Sequence, residues 1–282
     1  MRSAESVERG EAPVAASLDD LIRMHRRSDG VFVGPLRRTD MPRTYGGQLV
    51  AQGLAAAALT VNDGFGVHSL HSYFLRPGDV DAPVEYSVTP TKDGVSFASR
   101  RVVASQSGRE IFIMSVSFHV GASGVEHQDP MPAVPAPEDC PDLSATNDVA
   151  TAHMLEPEWS DWEIRSASTA DGSASGANLR YWIRHRAPLG GAGVHPAGLA
   201  YISDMMLLAT ATVPHPQTRV ELASLDHAMW FFVPHDVHEW VLYDQTSPFA
   251  GAGRGLTFGR FFARDGRMVG AVAQEGMTAT QE

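Results

Sequence analysis

Two runs of apolar residues along the chain have the length and composition of buried helices. Residues 48–59 and 199–211 are apolar on nearly every side, and alanine and glycine dominate the first run. A helix that is apolar all round buries most of its surface. Small side chains also let a neighbouring layer come close. We therefore expect each helix to be wrapped by an antiparallel sheet.

Strand-like segments predict two hairpins, one in each half of the chain. They lie at residues 97–118 and 258–274, where β-branched and aromatic residues alternate with polar ones. The first hairpin turns at Ser107-Gly108 and the second at Asp265-Gly266. An Asp-Gly pair between two alternating runs is typical of a tight hairpin turn.

A further strand is predicted over residues 224–233. Side chains two positions apart share a face of a strand, so regular alternation would place Ser224, Asp226 and Ala228 together.

The two halves repeat the same order of features. Residues 67–77 and 224–234 are similar blocks, and both end in proline. In each half an apolar helical run precedes the block and a hairpin follows it. Identity between the halves is low, but four shared features in one order indicate a duplicated unit.

These features divide the 282 residues into two units of similar size. The first unit is predicted over residues 18–120 and the second over residues 159–282. Residues 121–158 are rich in Pro, Ala, Asp and Glu without periodicity, which predicts a linker. Residues 1–17 are polar and are expected to form a disordered tail.

Composition and charge limit the possible partners. The net charge of −11 argues against binding to nucleic acid, and an anionic ligand would need a local basic patch. Five arginines could supply such a patch, although ordinary solvated side chains are the alternative: Arg100, Arg101, Arg109, Arg254 and Arg260. No run approaches the roughly 20 apolar residues of a membrane span, and residues 1–17 lack the apolar core of a signal peptide. The single cysteine, Cys140, excludes an internal disulfide. We expect a cytoplasmic protein without a membrane partner.

Three polar residues interrupt the apolar pattern of the second half. Asp204 lies within the second helical run, Ser224 opens the strand at 224–233, and Gln274 closes an apolar strand. A carboxylate in an apolar helix needs partners, a shifted pKa or a function. A structural hydrogen bond would explain Asp204 equally well, and an ordinary polar strand end would explain Ser224 and Gln274.

An acid, a hydroxyl and an amide that converge could hold a water molecule for hydrolysis without a covalent intermediate. The carboxylate would act as a general base, which contributes about 10²–10⁴-fold. The hydroxyl and the amide would orient the water. A thioester suits this equipment because its leaving thiol resembles cysteine, with a pKa of about 8.5.

Other chemistries lack their motifs. No Gly-x-Ser-x-Gly elbow or P-loop occurs, and Gly251–Gly255 has the wrong glycine spacing for a dinucleotide site. His235 and His238 lie in a polar loop without further ligands nearby, so neither a metal nor a cofactor is expected.

Several blocks of the sequence resemble the type II acyl-CoA thioesterases. They lie at residues 45–52, 68–79 and 93–102 in the first half, and at residues 225–231 and 272–276 in the second. The resemblance covers nearly the whole chain except the tail and the linker, and ordered multi-residue blocks make it specific.

The resemblance implies a double hotdog fold of the α+β class. Two units, each a long helix wrapped by an antiparallel sheet, would pack side by side. It also implies hydrolysis of fatty acyl-CoA to free acid and CoA, and assembly into a homo-oligomer, a dimer or a tetramer. The family's catalytic Asp, Ser or Thr, and Gln map onto Asp204, Ser224 and Gln274.

Substrate contacts are predicted at three further residues. Gly46 and Gly47 begin the first helix, where free backbone N–H groups could polarise the thioester carbonyl. Close packing at the helix entry is the alternative explanation for both. His71 is a minor candidate, and a structural role is the alternative.

Two rival functions remain open at this point. A hotdog enoyl-CoA hydratase resembles its relatives in carrying an Asp and a His five residues apart on the helix, but the residue five after Asp204 is Ala209. A non-enzymatic acyl-CoA binding protein is compatible with the fold, although a binder has no need of an acid in an apolar helix.

Overall fold

The computed structural model describes residues 14–145, 158–167, 176–190 and 193–280. Its α-helices are α1 (Leu18–Leu21), α2 (Gly46–Ala58) and α3 (Val194–Ile202). Its strands are β1 (His25–Ser28), β2 (Val31–Gly34), β3 (Gly66–Phe74), β4 (Val84–Asp93), β5 (Phe97–Gln106), β6 (Arg109–His119), β7 (Trp162–Ser166), β8 (Asn178–His185), β9 (Val220–Ser224), β10 (Asp226–Phe231), β11 (Val241–Gly251), β12 (Arg254–Ala263) and β13 (Met268–Thr280).

The described strands form one antiparallel sheet with an internal repeat. Its order is β1-β2-β4-β5-β6-β3 in the first half, continued by β10-β13-β12-β11-β8-β7 in the second, with β9 also paired to β13. The second half thus repeats the order of the first in reverse. The halves join where β3 pairs with β10, near the pair His71 and Ala228.

The two long helices, α2 and α3, pack against each other on the buried side of the sheet. A side chain at Gly47 would place its Cβ 2.2 Å from the backbone oxygen of Tyr201, so glycine is required for this close approach. The hydroxyl of Tyr45 donates a hydrogen bond of 3.0 Å to the same oxygen. This packing brings the start of α2 to the end of α3.

The predicted helix at residues 199–211 is wrong in its bounds. Helix α3 begins earlier and ends at Ile202, and Met206 follows with a positive φ of 57°. Side chains from β11 satisfy the backbone after the helix: Tyr243 donates to the Ser203 oxygen and Gln245 donates to the Met205 oxygen. Asp204 therefore lies in the turn that follows α3.

Two strand predictions also need correction. The segment 224–233 is two strands, because β9 ends at Ser224 and β10 begins at Asp226. Strand β13 continues to Thr280, so Gln274 lies in the middle of a strand and does not close one. The two predicted hairpins are present as β5–β6 and β12–β13.

The predicted tail and linker are partly ordered. Val14 forms a bridge with Leu36 and Ser17 caps α1, so the expectation of disorder through residue 17 is wrong for residues 14–17. Residues 1–13 lie outside the described part of the chain. In the predicted linker, Cys140 is buried in a small apolar cluster. The unit boundaries stay predictions.

Across the described residues, no helix is long and apolar enough to cross a membrane.

Candidate active site

Asp204 is held at the junction of the two long helices. It lies two residues beyond the end of α3, and its Oδ2 accepts a hydrogen bond of 3.1 Å from the backbone N–H of Gly47 in the first turn of α2. A helix N-terminus carries a partial positive charge, which favours a carboxylate. Gly46 lies so close that an added Cβ would be 2.7 Å from the same oxygen. Glycine at this position therefore leaves room for the carboxylate.

A bulge at Leu225 turns Ser224 toward Asp204. Ser224 pairs with Gly276, whereas Ala228 pairs with Ala273, so the register against β13 shifts by one residue between them. A one-residue shift exchanges the faces of a strand. The prediction that Ser224 shares a face with Asp226 and Ala228 is therefore wrong. Ser224 instead points to the buried side.

Gln274 connects the acid to the hydroxyl. Its side chain is only 1% exposed and projects from the middle of β13. Its amide nitrogen donates to Asp204 Oδ1 at 2.9 Å and also to Ser224 Oγ. The three residues named from the sequence thus form one hydrogen-bonded group. Ser224 only accepts in its bond with Gln274, so its own hydrogen stays available for another acceptor.

Burial makes Asp204 a weaker acid than usual. Loss of solvent raises the pKa of Asp204 to about 6, against the opposing effect of the hydrogen bonds from Gln274 and Gly47. A carboxylate with a pKa near the working pH is both largely ionised and basic enough to accept a proton.

His227 is a member of this network that the sequence did not single out. It is fully buried, and burial lowers the pKa of its imidazole to about 4, so it is neutral at neutral pH. Its Nδ1 lies 3.3 Å from Gln274 Oε1, and its Nε2 lies 2.8 Å from Ser203 Oγ. Because an amide oxygen only accepts hydrogen bonds, the proton belongs on Nδ1.

The proton on Nδ1 fixes the direction of the hydrogen bond to Gln274. On the other side of the ring, the single hydrogen of the Ser203 hydroxyl has two acceptors, Nε2 of His227 and the Ala200 backbone oxygen, each 2.8 Å away. The imidazole then donates to the oxygen of Gln274, which leaves the amide hydrogens facing Asp204 and Ser224. The Asp-His pair at residues 226–227 was a signal in the sequence, but the face of His227 depends on the bulge.

A pocket of about 530 Å³ opens beside the three residues. The start of α2, the end of β3 and the segment before β10 line it, with Ser224, Gly46 and Phe74 among its walls. Arg43 and Arg76 also line it and supply positive charge. The sequence did not identify these two arginines. It named instead Arg100, Arg101, Arg109, Arg254 and Arg260 as a possible basic patch.

Some of those other arginines have structural partners. Arg100 is buried, with hydrogen bonds to Thr60 and Asp93, and Arg260 pairs with Asp244.

The three predicted substrate contacts, Gly46, Gly47 and His71, have different places in the structure. Gly46 lines the pocket, and the first N–H groups of a helix have no partner within it. The N–H of Gly47 is already engaged by Asp204. His71 is not brought to the site: it is exposed in the β3–β10 ladder and packs edge-on against Trp230. Among the residues described, no cluster of His, Cys, Asp and Glu could hold a metal ion.

Comparisons with known proteins place this site in a family. Residues 36–119 match the model of an acyl-CoA thioesterase N-terminal domain, and residues 137–278 match that of an acyl-CoA thioesterase C-terminal domain. The chain belongs to the acyl-CoA thioesterase family.

Individual relatives cover nearly the full chain. Human acyl-coenzyme A thioesterase 8 is 36% identical, with 96% of this chain and 92% of the relative aligned. Acyl-CoA thioesterase 2 of Haemophilus influenzae is 32% identical, with 94% and 98% aligned. The crystal structure of an acyl-CoA thioesterase II from Mycobacterium marinum superposes with a TM-score of 0.83 at 39% identity, covering 94% of this chain and 99% of that one.

These comparisons confirm three predictions: the type II thioesterase family, the double hotdog α+β fold and acyl-CoA thioester hydrolysis.

Proposed function

We propose that this protein hydrolyses fatty acyl-CoA by direct attack of water, with Asp204 as the general base and Ser224 and Gln274 as the groups that hold the water. The observation that carries the proposal is the single hydrogen-bonded group of acid, hydroxyl and amide at the wall of a pocket. Asp204 removes a proton as the water oxygen attacks the thioester carbonyl carbon. Collapse of the intermediate breaks the carbon–sulfur bond, and the proton goes to the departing thiolate.

The start of α2 supplies the donor for the developing oxyanion. Gly46 lines the pocket, whereas the N–H of Gly47 fixes Asp204. The two glycines therefore have different roles: Gly46 contacts the substrate and Gly47 positions the base. A backbone donor of this kind typically contributes about 3 kcal/mol to transition-state stabilisation.

The test of direct water attack is a rapid-quench experiment with excess enzyme. We expect CoA and free acid to appear at the same rate, with no acylated protein in intact mass spectra of quenched samples. A burst of CoA ahead of the acid, or an acyl adduct on any residue, would contradict the proposal.

The pH dependence of the reaction should report Asp204. Because the base works only when ionised, kcat/KM is expected to rise with pH through about 6 and then level off. The decrease in thioester absorbance measures this without a thiol reagent. Asp226, whose pKa burial also raises, is the matched control, and Asp226→Asn should keep the same limb. A wild-type rate that is constant down to about pH 4 would contradict the role of Asp204.

Arg43 and Arg76 are proposed to bind the phosphates of CoA. Each arginine would donate a charge-assisted hydrogen bond to a phosphate at a partly exposed site. We therefore expect Arg43→Ala and Arg76→Ala each to raise KM by about 10-fold with little change in kcat. Acyl-pantetheine lacks the nucleotide, so its KM should not change. Arg264→Ala is the control because that exposed arginine pairs with Glu138, away from the residues that line the pocket. If KM rose equally for acyl-CoA and acyl-pantetheine, the arginines would not bind the phosphates of CoA.

We further propose that the chain forms a homo-oligomer in the cytoplasm. The outer face of the central strands leaves Tyr73 58% exposed and Phe258 42% exposed, which favours burial against a second copy. Cys140 is free and buried, as suits a reducing compartment. Light scattering after size exclusion would test the assembly, and a monomer at micromolar concentration would contradict it.

A further inference from the structure

A second pocket lies at the other end of the helix pair. It has a volume of about 630 Å³ and is lined by the start of α3, the end of β10 and the first residues of β3. Leu199, Phe231 and Val67 are among its walls. This size is within the range of small-molecule sites, about 300–1,000 Å³.

The internal repeat relates this pocket to the candidate active site. The ladder of β3 with β10 runs antiparallel through the pair His71 and Ala228, so the blocks at residues 67–77 and 224–234 exchange places about that point. Each pocket is lined by the same parts of its half: a helix start, a strand end and the approach to the central strand. The bulge also recurs. The register of β3 against β6 shifts by one residue at His68, and the register of β9 and β10 against β13 shifts by one residue at Leu225.

The repeat identifies the counterparts of the polar network. Val67 corresponds to Ser224 in the aligned blocks, and Leu70 corresponds to His227. Leu70 pairs with Val116, so Val116 occupies the place of Gln274. Leu49 and Leu199 occupy equivalent places, because each lines a pocket near the start of its helix. Leu54 follows Leu49 by five residues, as Asp204 follows Leu199, so Leu54 corresponds to Asp204. All four polar residues are therefore replaced by aliphatic ones, and Leu54, Leu70 and Val116 are at most 2% exposed. The positions that correspond to the catalytic group therefore carry no acid, hydroxyl or amide that could hold a water molecule, and one of them, Val67, lines the pocket.

The polar groups at the second pocket differ from those of the first. No lysine or arginine is present among its described lining residues, so no guanidinium or ammonium group is available there for the phosphates of CoA. Four histidines line it instead: His68, His119, His195 and His235.

Two of these histidines have an unused ring nitrogen. Within the described residues, His195 Nδ1 and His235 Nε2 are buried without a hydrogen-bond partner. The His195 nitrogen lies 3.3 Å from a carboxylate oxygen of Asp236 without forming a hydrogen bond. The same oxygen of Asp236 already accepts from the backbone N–H of His238. A buried polar atom without a partner favours a ligand that supplies one.

We propose that this second pocket binds a fatty acid, the acid that hydrolysis releases, without turning over acyl-CoA. The alkyl chain packs against the apolar walls that Val67, Leu199 and Phe231 form, and the carboxyl group meets the ring nitrogens of His195 and His235. The choice of ligand rests on the proposed function, because a fatty acid is the product of that reaction. The pocket itself is independent of the catalytic residues.

The test is the number of dodecanoate molecules bound per chain, measured by isothermal titration calorimetry below micelle formation. Gly66 lies at the pocket, and an added Cβ there meets only the backbone oxygen of His119, at 3.9 Å. Gly66→Trp therefore adds a large side chain at the rim of the pocket without disturbing the strand, and Gly66→Ala is the matched control. Val233→Glu is a second obstruction, since Val233 lines the pocket and is 37% exposed.

We expect about two molecules per chain for the wild type and Gly66→Ala, one at each pocket. Gly66→Trp should bind about one, and Val233→Glu should weaken one site by at least about 10-fold. Binding of a single molecule by the wild type, or of two by both obstructed variants, overturns the proposal. If the wild type binds one molecule and Val233→Glu also changes the oligomeric state, a second copy of the chain covers the pocket, and the proposal is overturned in the same way.

Acyl-CoA hydrolysis by the same variants separates this proposal from the proposed function. Gly66→Trp should keep the wild-type kcat, because the obstruction is at the opposite end of the helix pair. If Asp204→Asn remained active, the proposed catalytic residues would be wrong, but the count of bound dodecanoate would still decide the second site.

Discussion

Asp204→Asn is expected to lower kcat for acyl-CoA hydrolysis by about 10²–10⁴-fold. The amide keeps the shape of the carboxylate, and its one oxygen can accept from Gln274 or from the N–H of Gly47, while its NH2 group faces the other donor. Thiol release from acyl-CoAs of graded chain length gives the rates of both proteins. The wild-type series also shows the preferred acyl length.

The matched control for this experiment is Asp226→Asn. Asp226 lies two residues beyond Ser224, and its carboxylate accepts from the backbone N–H of Glu275. It has no hydrogen bond to the catalytic group among the described contacts, so its variant should stay within a few-fold of the wild type. Equal loss in both variants would mean that removing a carboxylate disturbs this region generally. Full activity in Asp204→Asn would exclude it as the base.

The same substitution should stabilise the fold at high pH. The pKa of Asp204 is about 6 in the folded protein, above the value of about 3.9 in an unfolded chain. Its contribution to stability is thus complete below about pH 4 and is lost as the pH rises through 6. Asn removes this penalty, but one of its two donors, Gln274 or the N–H of Gly47, loses its acceptor, which offsets part of the gain. The variant should therefore gain less than about 3 kcal/mol of unfolding free energy relative to the wild type above pH 6. Thermal unfolding at two pH values measures the gain and shows that the variant is folded.

Local patterns in the sequence predicted the hairpins and the first helix closely. Residues 48–59 correspond to α2, whose interior depends on its own small side chains. The second helix was predicted too long because the apolar run resumes after Asp204, at residues 205–209. The turn after the helix is instead fixed by hydrogen bonds from Tyr243 and Gln245, which lie about 40 residues further along the chain. No local pattern contains that information.

The candidate site was predicted in its members but not in its geometry. Asp204 was conspicuous as a charge in an apolar run, while Ser224 and Gln274 gained weight only from the family resemblance. The bulge at Leu225, which turns Ser224 inward, is a property of three paired strands and has no signature in the segment itself. His227 was missed for the same reason, because regular alternation would have placed it on the opposite face from Ser224.

Gln274→Leu is expected to lower kcat/KM by about 10- to 100-fold. Leucine fills a similar volume but removes two donors, one to Asp204 and one to Ser224. A hydrogen bond to a charged group contributes about 1.5–3 kcal/mol, which corresponds to this range. The hydrogen bond from Gln274 also lowers the pKa of Asp204, so its loss should move the acid limb of kcat/KM above pH 6. Both effects are measured in one pH series.

His227→Phe tests whether the orientation of the Gln274 amide matters for activity, in addition to its presence. Gln274 is retained, but the donor that holds its oxygen is gone, and a reversed amide would present that oxygen to Asp204. We expect a smaller loss of kcat/KM than in Gln274→Leu, with the acid limb shifted in the same direction. The ¹⁵N spectrum of the wild type should show a neutral His227 protonated at Nδ1. If His227 only stabilises the fold, His227→Phe should have a lower melting temperature but an acid limb that stays at about pH 6. Gln274 and Gly47 would then position Asp204 without His227.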